Sequence, residues 1–182
     1  MATTKLMTAE DLWEMGEDAR FCELIRGELA CMSPASGKHS QTTGVIFGHL
    51  WTFARHDRSH EVFESSAGYI IARDPDVVLA PDVSVVRSER FPPDGPRRRF
   101  MDLVPDLVVD VISPSERPGH ITTKIVTYLN TGVRIVWLVD LENRSITVHA
   151  ADRPPRTLTI DDELDGGEVL PGFRLRVADI FS

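Results

Sequence analysis

The chain has 182 residues, 42% of them hydrophobic and 26% charged, with a net charge of −8. That length suits a single domain, residues 1–182, with one sizeable core, and the composition is that of an ordinary soluble globular protein. The acidic balance argues against a protein that coats nucleic acid by bulk electrostatics. No apolar run approaches the ~20 residues of a membrane span, and no apolar signal segment opens the chain, so a cytoplasmic location is the expectation.

Thr8, followed three residues later by Asp11, has the form of a capping box and predicts a short helix over 8–16. Phe21 to Met32 reads as a hairpin. With Arg26-Gly27 as its two-residue turn, Cys22 and Cys31 face each other directly. Two cysteines are too few for a disulfide framework, and in a reducing compartment they are expected as two buried thiols, bonding only on oxidation. Cys22, Leu24, Leu29 and Cys31 form one face; Glu23, Ile25, Glu28 and Ala30 form the other, on which Glu23 reads as a solvated strand residue.

From about His39 to His56 the pattern is helical, with Ile46, Phe47, Leu50, Phe53 and Ala54 as the inward stripe. Gly44 and Gly48 suggest a close approach by another element. His39 falls near the inward face at the helix start, where it is a candidate substrate-binding residue. Glu61 to Ile71 supplies one or two strands, Arg73 to Asp76 a turn, and Val77 to Val86 the next strand, with Pro81 marking an edge or bulge. Ser88 to Met101 reads as an exposed loop whose Arg97, Arg98 and Arg99 form a candidate phosphate-contacting arm. Leu107 to Ile112 is a central strand, and a helix over about 116–130 buries Ile121, Ile125, Tyr128 and Leu129 before Gly132 ends it. Val133 to Val139 is another buried strand, Asn143 turns it into Ser145–Ala150, and strands follow near 156–160 and 168–177 with a turn at Pro171-Gly172. The order predicts an α+β (mixed α/β) fold: a central mixed sheet flanked by helices, with an N-terminal hairpin and C-terminal strands.

Asp82 and Asp110 carry the chemistry. Each sits in an apolar strand, where a carboxylate is costly unless something pairs with it. If the strands are neighbours, both carboxylates meet on one side of the sheet, and two hard oxygen ligands there suit magnesium or manganese better than zinc. Lys124 falls at the boundary of its helix's buried face, from which an ammonium can reach the site and stabilise charge on a phosphoryl oxygen. No Gly-rich phosphate loop, zinc spacing or GxSxG elbow is present. Ser113 and Ser115 lack an identifiable base, which leaves an acyl hydrolase remote.

Nearly the whole chain resembles the Uma-two family of restriction endonucleases, within the PD-(D/E)XK nuclease superfamily. The resemblance rests on CELIRGELACMSPAS with His39 after it, on APDVSVV, on PDLVVDVISPS, on Lys124 to Tyr128 with TGVRIVWLVD, and on EVLPGFRLRVADIF. It implies a restriction-endonuclease-like core, magnesium (or manganese) dependence and phosphodiester hydrolysis, with nucleic acid, DNA first, as the partner. Asp82 and Asp110 would hold the metal together with the main-chain carbonyl of Val111. Lys124 would act beside them, and Glu23 resembles the family's early glutamate, placed to position the lysine, the water or a second metal. Asp110 stands where the family usually has glutamate, Ile112 where a lysine is expected, and His120 where an aspartate is frequent. Homodimerisation is expected from related nucleases and not from these residues. The alternative is a nuclease-fold protein without activity that serves as a binding or assembly module.

Overall fold

The Thr8 hydroxyl accepts the Asp11 amide while the Asp11 carboxylate accepts the Thr8 amide, so the capping box forms and starts α1 (Ala9–Glu14). The structure, a computed structural model, describes residues 6–56, 58–92, 99–113 and 118–182. After a 3-10 turn at Gly16–Ala19, β1 (Cys22–Ile25) and β2 (Glu28–Cys31) form the expected hairpin. Arg26 and Gly27 both take positive φ, 54° and 77°, as a two-residue turn that matches strand twist requires. Cys22 and Cys31 are paired in register and joined by a disulfide, where two free thiols were expected. Direct opposition brings their Cα atoms within 4.0 Å, and neither is deeply buried, Cys31 being exposed.

Ser36 caps α2 (Gly37–Ala54), two residues earlier than the pattern suggested. Gly44 and Gly48 admit no close neighbour: both are exposed, and a Cβ on either would meet nothing within 4 Å. β3 (His60–Glu64) and β4 (Tyr69–Ala72) follow. The single strand expected over 77–86 is two strands, β5 (Val77–Leu79) and β6 (Val83–Arg87), which belong to different sheets. Ala80-Pro81-Asp82 is the crossing, because Pro81 has no amide with which to continue a ladder.

The remaining elements are β7 (Leu107–Val111), α3 (Pro118–Thr131), β8 (Ile135–Asp140), β9 (Ser145–Ala150), β10 (Arg153–Leu158), β11 (Glu163–Gly166), β12 (Leu170–Arg176) and α4 (Val177–Ile180). Two details differ from expectation. The β11–β12 turn lies around Gly167 (φ 54°), and Pro171-Gly172 falls inside β12. Met101, placed in an exposed loop by the sequence, is buried and tied to Gly68 and Ile70 by backbone hydrogen bonds of 2.9 and 2.8 Å.

A six-stranded sheet runs β10-β9-β8-β7-β6-β3, parallel at β7–β8 and antiparallel elsewhere, beside a four-stranded sheet β2-β1-β5-β4. This is the expected mixed α+β architecture. On one face of the large sheet Val83, Val85, Val109 and Trp137 pack against Ile46 and Leu50 of α2 and against Phe173 of β12. On the other, Val86, Val108 and Val136 meet Tyr128 of α3 and Tyr69 and Leu79 of the small sheet. α1 closes the outer side of the small sheet through Leu12, which packs with Leu24 and Val78. Among the described residues, no helix is long and apolar enough to cross a membrane.

Candidate active site

β6 and β7 pair antiparallel with Val83 opposite Val109 and Ser84 opposite Val108. One step further along that register sets Asp82 opposite Asp110, and the pleat puts both on the α3 side of the sheet. The Val111 amide donates to Asp82 Oδ2 at 2.7 Å, which fixes the Asp82 carboxylate across the strand end. The break at Pro81 thus ends one strand and delivers Asp82 to the mouth of the next.

Lys124 is not at the edge of the α3 face. It is 6% exposed, and together with Tyr128 it forms the helix's buried polar face. Its Nζ lies 3.1 Å from Asp110 Oδ2 and 3.4 Å from Glu23 Oε1. Ile125 and Leu129, expected at the centre of the stripe, are only partly buried beside it. The stem of the lysine packs while its ammonium ends among carboxylates, a placement helical periodicity alone leaves 40–60° out.

Glu23 overturns its reading as a solvated residue, being 1% exposed. Both faces of β1 are covered: Leu24 meets α1, and Glu23 turns the other way into the pocket. Its Oε1 accepts the Ala80 amide at 2.9 Å, so the small sheet's β1 and the crossing segment are joined at the site. Oε2 is buried with no hydrogen-bond partner among the described residues.

His39 arrives from the other side of the large sheet, at the N-terminal turn of α2. Its Nε2 lies 3.0 Å from the Val111 carbonyl and 3.3 Å from Asp82 Oδ2. The hydrogen bond to Asp82 raises the imidazole pKa above its ordinary value, against the opposing effect of burial, and the Asp82 and Asp110 charges and the Val111 carbonyl add to the rise. His39 thus contacts two of the three groups expected to bind metal.

Electrostatics single out Asp110. Burial pushes its pKa up to about 6; Lys124 pulls it down, and the charges of Asp82 and Glu23 push it further up. Three carboxylates, one lysine ammonium and the His39 imidazole share the pocket, so carboxylates are crowded in a poorly solvated place. Among the described residues, no three His, Cys, Asp or Glu side chains are close enough to hold a metal by themselves. The donor set nevertheless fits a hard divalent cation: two aspartates and a main-chain carbonyl are the oxygen ligands that such an ion takes.

Glu23, His39, Asp82, Asp110, Val111 and Lys124 are thus brought together. Arg99 is not: with Trp13, Arg73, Arg90 and Phe100 it lines a cleft of about 660 Å³ that shares no residue with the site. Arg97 and Arg98 lie outside the described residues, as does Ser115. The sequence reading missed the Ala80 and Val111 amides as carboxylate donors, since main-chain groups leave no signal in residue identity. It also took Tyr128 for core only, although its four-residue spacing from Lys124 was a visible cue.

A family model described as "Uma2: Putative restriction endonuclease" matches residues 9–178. A solved structure titled as a putative nuclease belonging to DUF820, from Anabaena variabilis, superposes with a TM-score of 0.84. It is 18% identical, and the match covers 96% of this chain and 97% of that one, so the likeness is one of fold. No curated protein sequence matches the chain.

Proposed function

The chain belongs to the Uma2 family of putative restriction endonucleases, and from that premise we propose that it hydrolyses phosphodiester bonds of DNA with a magnesium or manganese ion held by Asp82, Asp110 and the Val111 carbonyl. The observation that carries the metal is the crowding of carboxylates: Asp110, Asp82 and Glu23 stand around one ammonium and one imidazole, and the Asp110 carboxyl is pushed up to about 6. A divalent cation is the partner that such a pocket lacks.

When bound, the ion polarises the scissile phosphate and acidifies a water beside it. The chain's own groups do the rest. Asp82 is held by the Val111 amide at Oδ2. Lys124, fixed between Asp110 and Glu23, presents N–H donors towards the charge that grows on the phosphoryl oxygens, in a site where such donors are worth more than in water. Glu23 keeps that ammonium in place and is itself anchored by the Ala80 amide. His39 Nε2 lies against the Val111 carbonyl and Asp82 Oδ2, so the imidazole would steady two of the groups that hold the ion beside the substrate. Two copies of the chain would be needed to cut both strands of a duplex at once.

The test is calorimetric titration of manganese into the wild type, Asp82→Ala and Asp110→Ala, followed by nicking of supercoiled plasmid. Saturable binding in the wild type that both variants lose is the expected result. Heats that cannot be told apart among the three proteins would end the nuclease reading and favour a binding module.

A further inference from the structure

α3 buries two polar side chains one turn apart on the same face, Lys124 and Tyr128. Tyr128 is 1% exposed, and its hydroxyl has no hydrogen-bond partner among the described residues. Buried hydroxyls almost always find one, because burying an unpaired polar group is unfavourable. Glu23 Oε2 is in the same condition, although Glu23 Oε1 is bound by the Ala80 amide at 2.9 Å. The two atoms are complementary, since a carboxylate oxygen only accepts and a phenol can donate.

The phenol also lies within the field of the pocket. Burial raises its pKa well above the ordinary value; the Asp110 charge adds to this, Lys124 opposes it, and Glu23 and Asp82 add further. The hydroxyl therefore keeps its proton and stays a donor. It sits beside the acceptor-rich side of the site, on the helix that supplies the lysine.

We propose that Tyr128 is a positioning residue of this site: its hydroxyl reaches Glu23 Oε2 across one bridging water and holds Glu23 in the orientation that keeps Lys124 beside Asp110. Glu23 is then clamped at both oxygens, by the small sheet at one and by α3 at the other. The effect on rate rests on the nuclease reading; the hydrogen bond itself does not.

The experiment uses the fact that the chain has two tyrosines. Tyr69 donates to or accepts from Ser84 at 2.6 Å and feels burial and Ser84 with no contribution from Glu23, so it serves as an internal control. With ring-carbon-labelled tyrosine, the Tyr128 resonance is expected to move in Glu23→Gln while that of Tyr69 stays in place, because a charge-assisted bond becomes a neutral one. A Tyr128 resonance that does not move overturns the proposal, whether or not the protein cleaves anything. In the nicking assay with manganese, Tyr128→Phe is expected to lower kcat roughly ten- to hundred-fold, the equivalent of one hydrogen bond to a charged group. KM and manganese affinity should be retained, and Glu23→Gln should add little further loss in the double variant. Wild-type kcat in Tyr128→Phe, or losses that simply add, would also overturn it. A wild type that cleaves no substrate fails the nuclease reading instead, and the resonance then decides the contact alone.

Discussion

Asp76 and Asp106 are nearly as buried as Glu23, at 7% and 6% exposed, yet donors surround them. Asp76 Oδ2 accepts the Ala9 amide at 2.8 Å and the Arg73 guanidinium at 3.1 Å, while its Oδ1 takes the Asp74 amide at 3.4 Å. Asp106 accepts the Arg87 amide at 2.9 Å on one oxygen and faces Arg90 at 3.0 Å on the other. In the pocket, by contrast, Glu23 has an oxygen with no partner and Asp110 is pushed up to about 6 by burial and like charge. A carboxylate whose oxygens are all bound is a staple: Asp76 ties the start of α1 to the β4–β5 turn. One left short of donors holds free energy that a ligand can release, as functional sites commonly do.

Breaking each region should therefore give opposite signatures. The largest effect is expected from Asp110→Asn. Plasmid nicking should fall at least about 1000-fold, as when a group acting on the transition state is removed (about 4 kcal/mol). The metal-free melting temperature at pH 7 should not drop, because one of three crowded charges is gone. A melting temperature that collapsed with the activity would make Asp110 a structural residue like Asp76. Next is Asp76→Ala, which strands Arg73 and the Ala9 amide. Urea unfolding should show a loss of about 3 kcal/mol, with manganese affinity unchanged by calorimetry.

The pH dependence sharpens the same contrast. The unfolded chain releases the Asp110 proton near 3.8, and the folded chain holds it to about 6. Between those values the native state binds more protons, so stability in the absence of metal falls as pH rises, by at most about 1.4 kcal/mol per unit from this group. Subtracting the Asp110→Asn curve from the wild-type curve isolates that slope, and a difference curve that rises over this window would refute the assignment. Manganese affinity should weaken below about pH 6, as the proton competes for the same carboxylate. The smallest effect is Arg90→Ala. Its partner Asp106 retains the Arg87 amide and the guanidinium is partly solvated, so the loss in urea unfolding should be only about 1 kcal/mol.

The sequence by itself determined what local chemistry can determine. Thr8 and Asp11 specify a helix start, Arg26-Gly27 a turn with positive φ, and the β-branched runs at 107–111 and 135–139 strands with both faces buried. The two aspartates on apolar segments were equally legible, since a charge set among Val and Leu asks for a partner. Tertiary structure alone decided which face of each element is covered and by what. It divided 77–86 between two sheets, drew Lys124 into the centre of the α3 face, and buried Glu23 between β1 and the Ala80 crossing. It also brought His39 from the opposite side of the sheet to Asp82. The reason is physical: periodicity reports the angle of a side chain about its own axis, whereas the site is made where five segments far apart in the chain meet at the ends of two inner strands of a sheet.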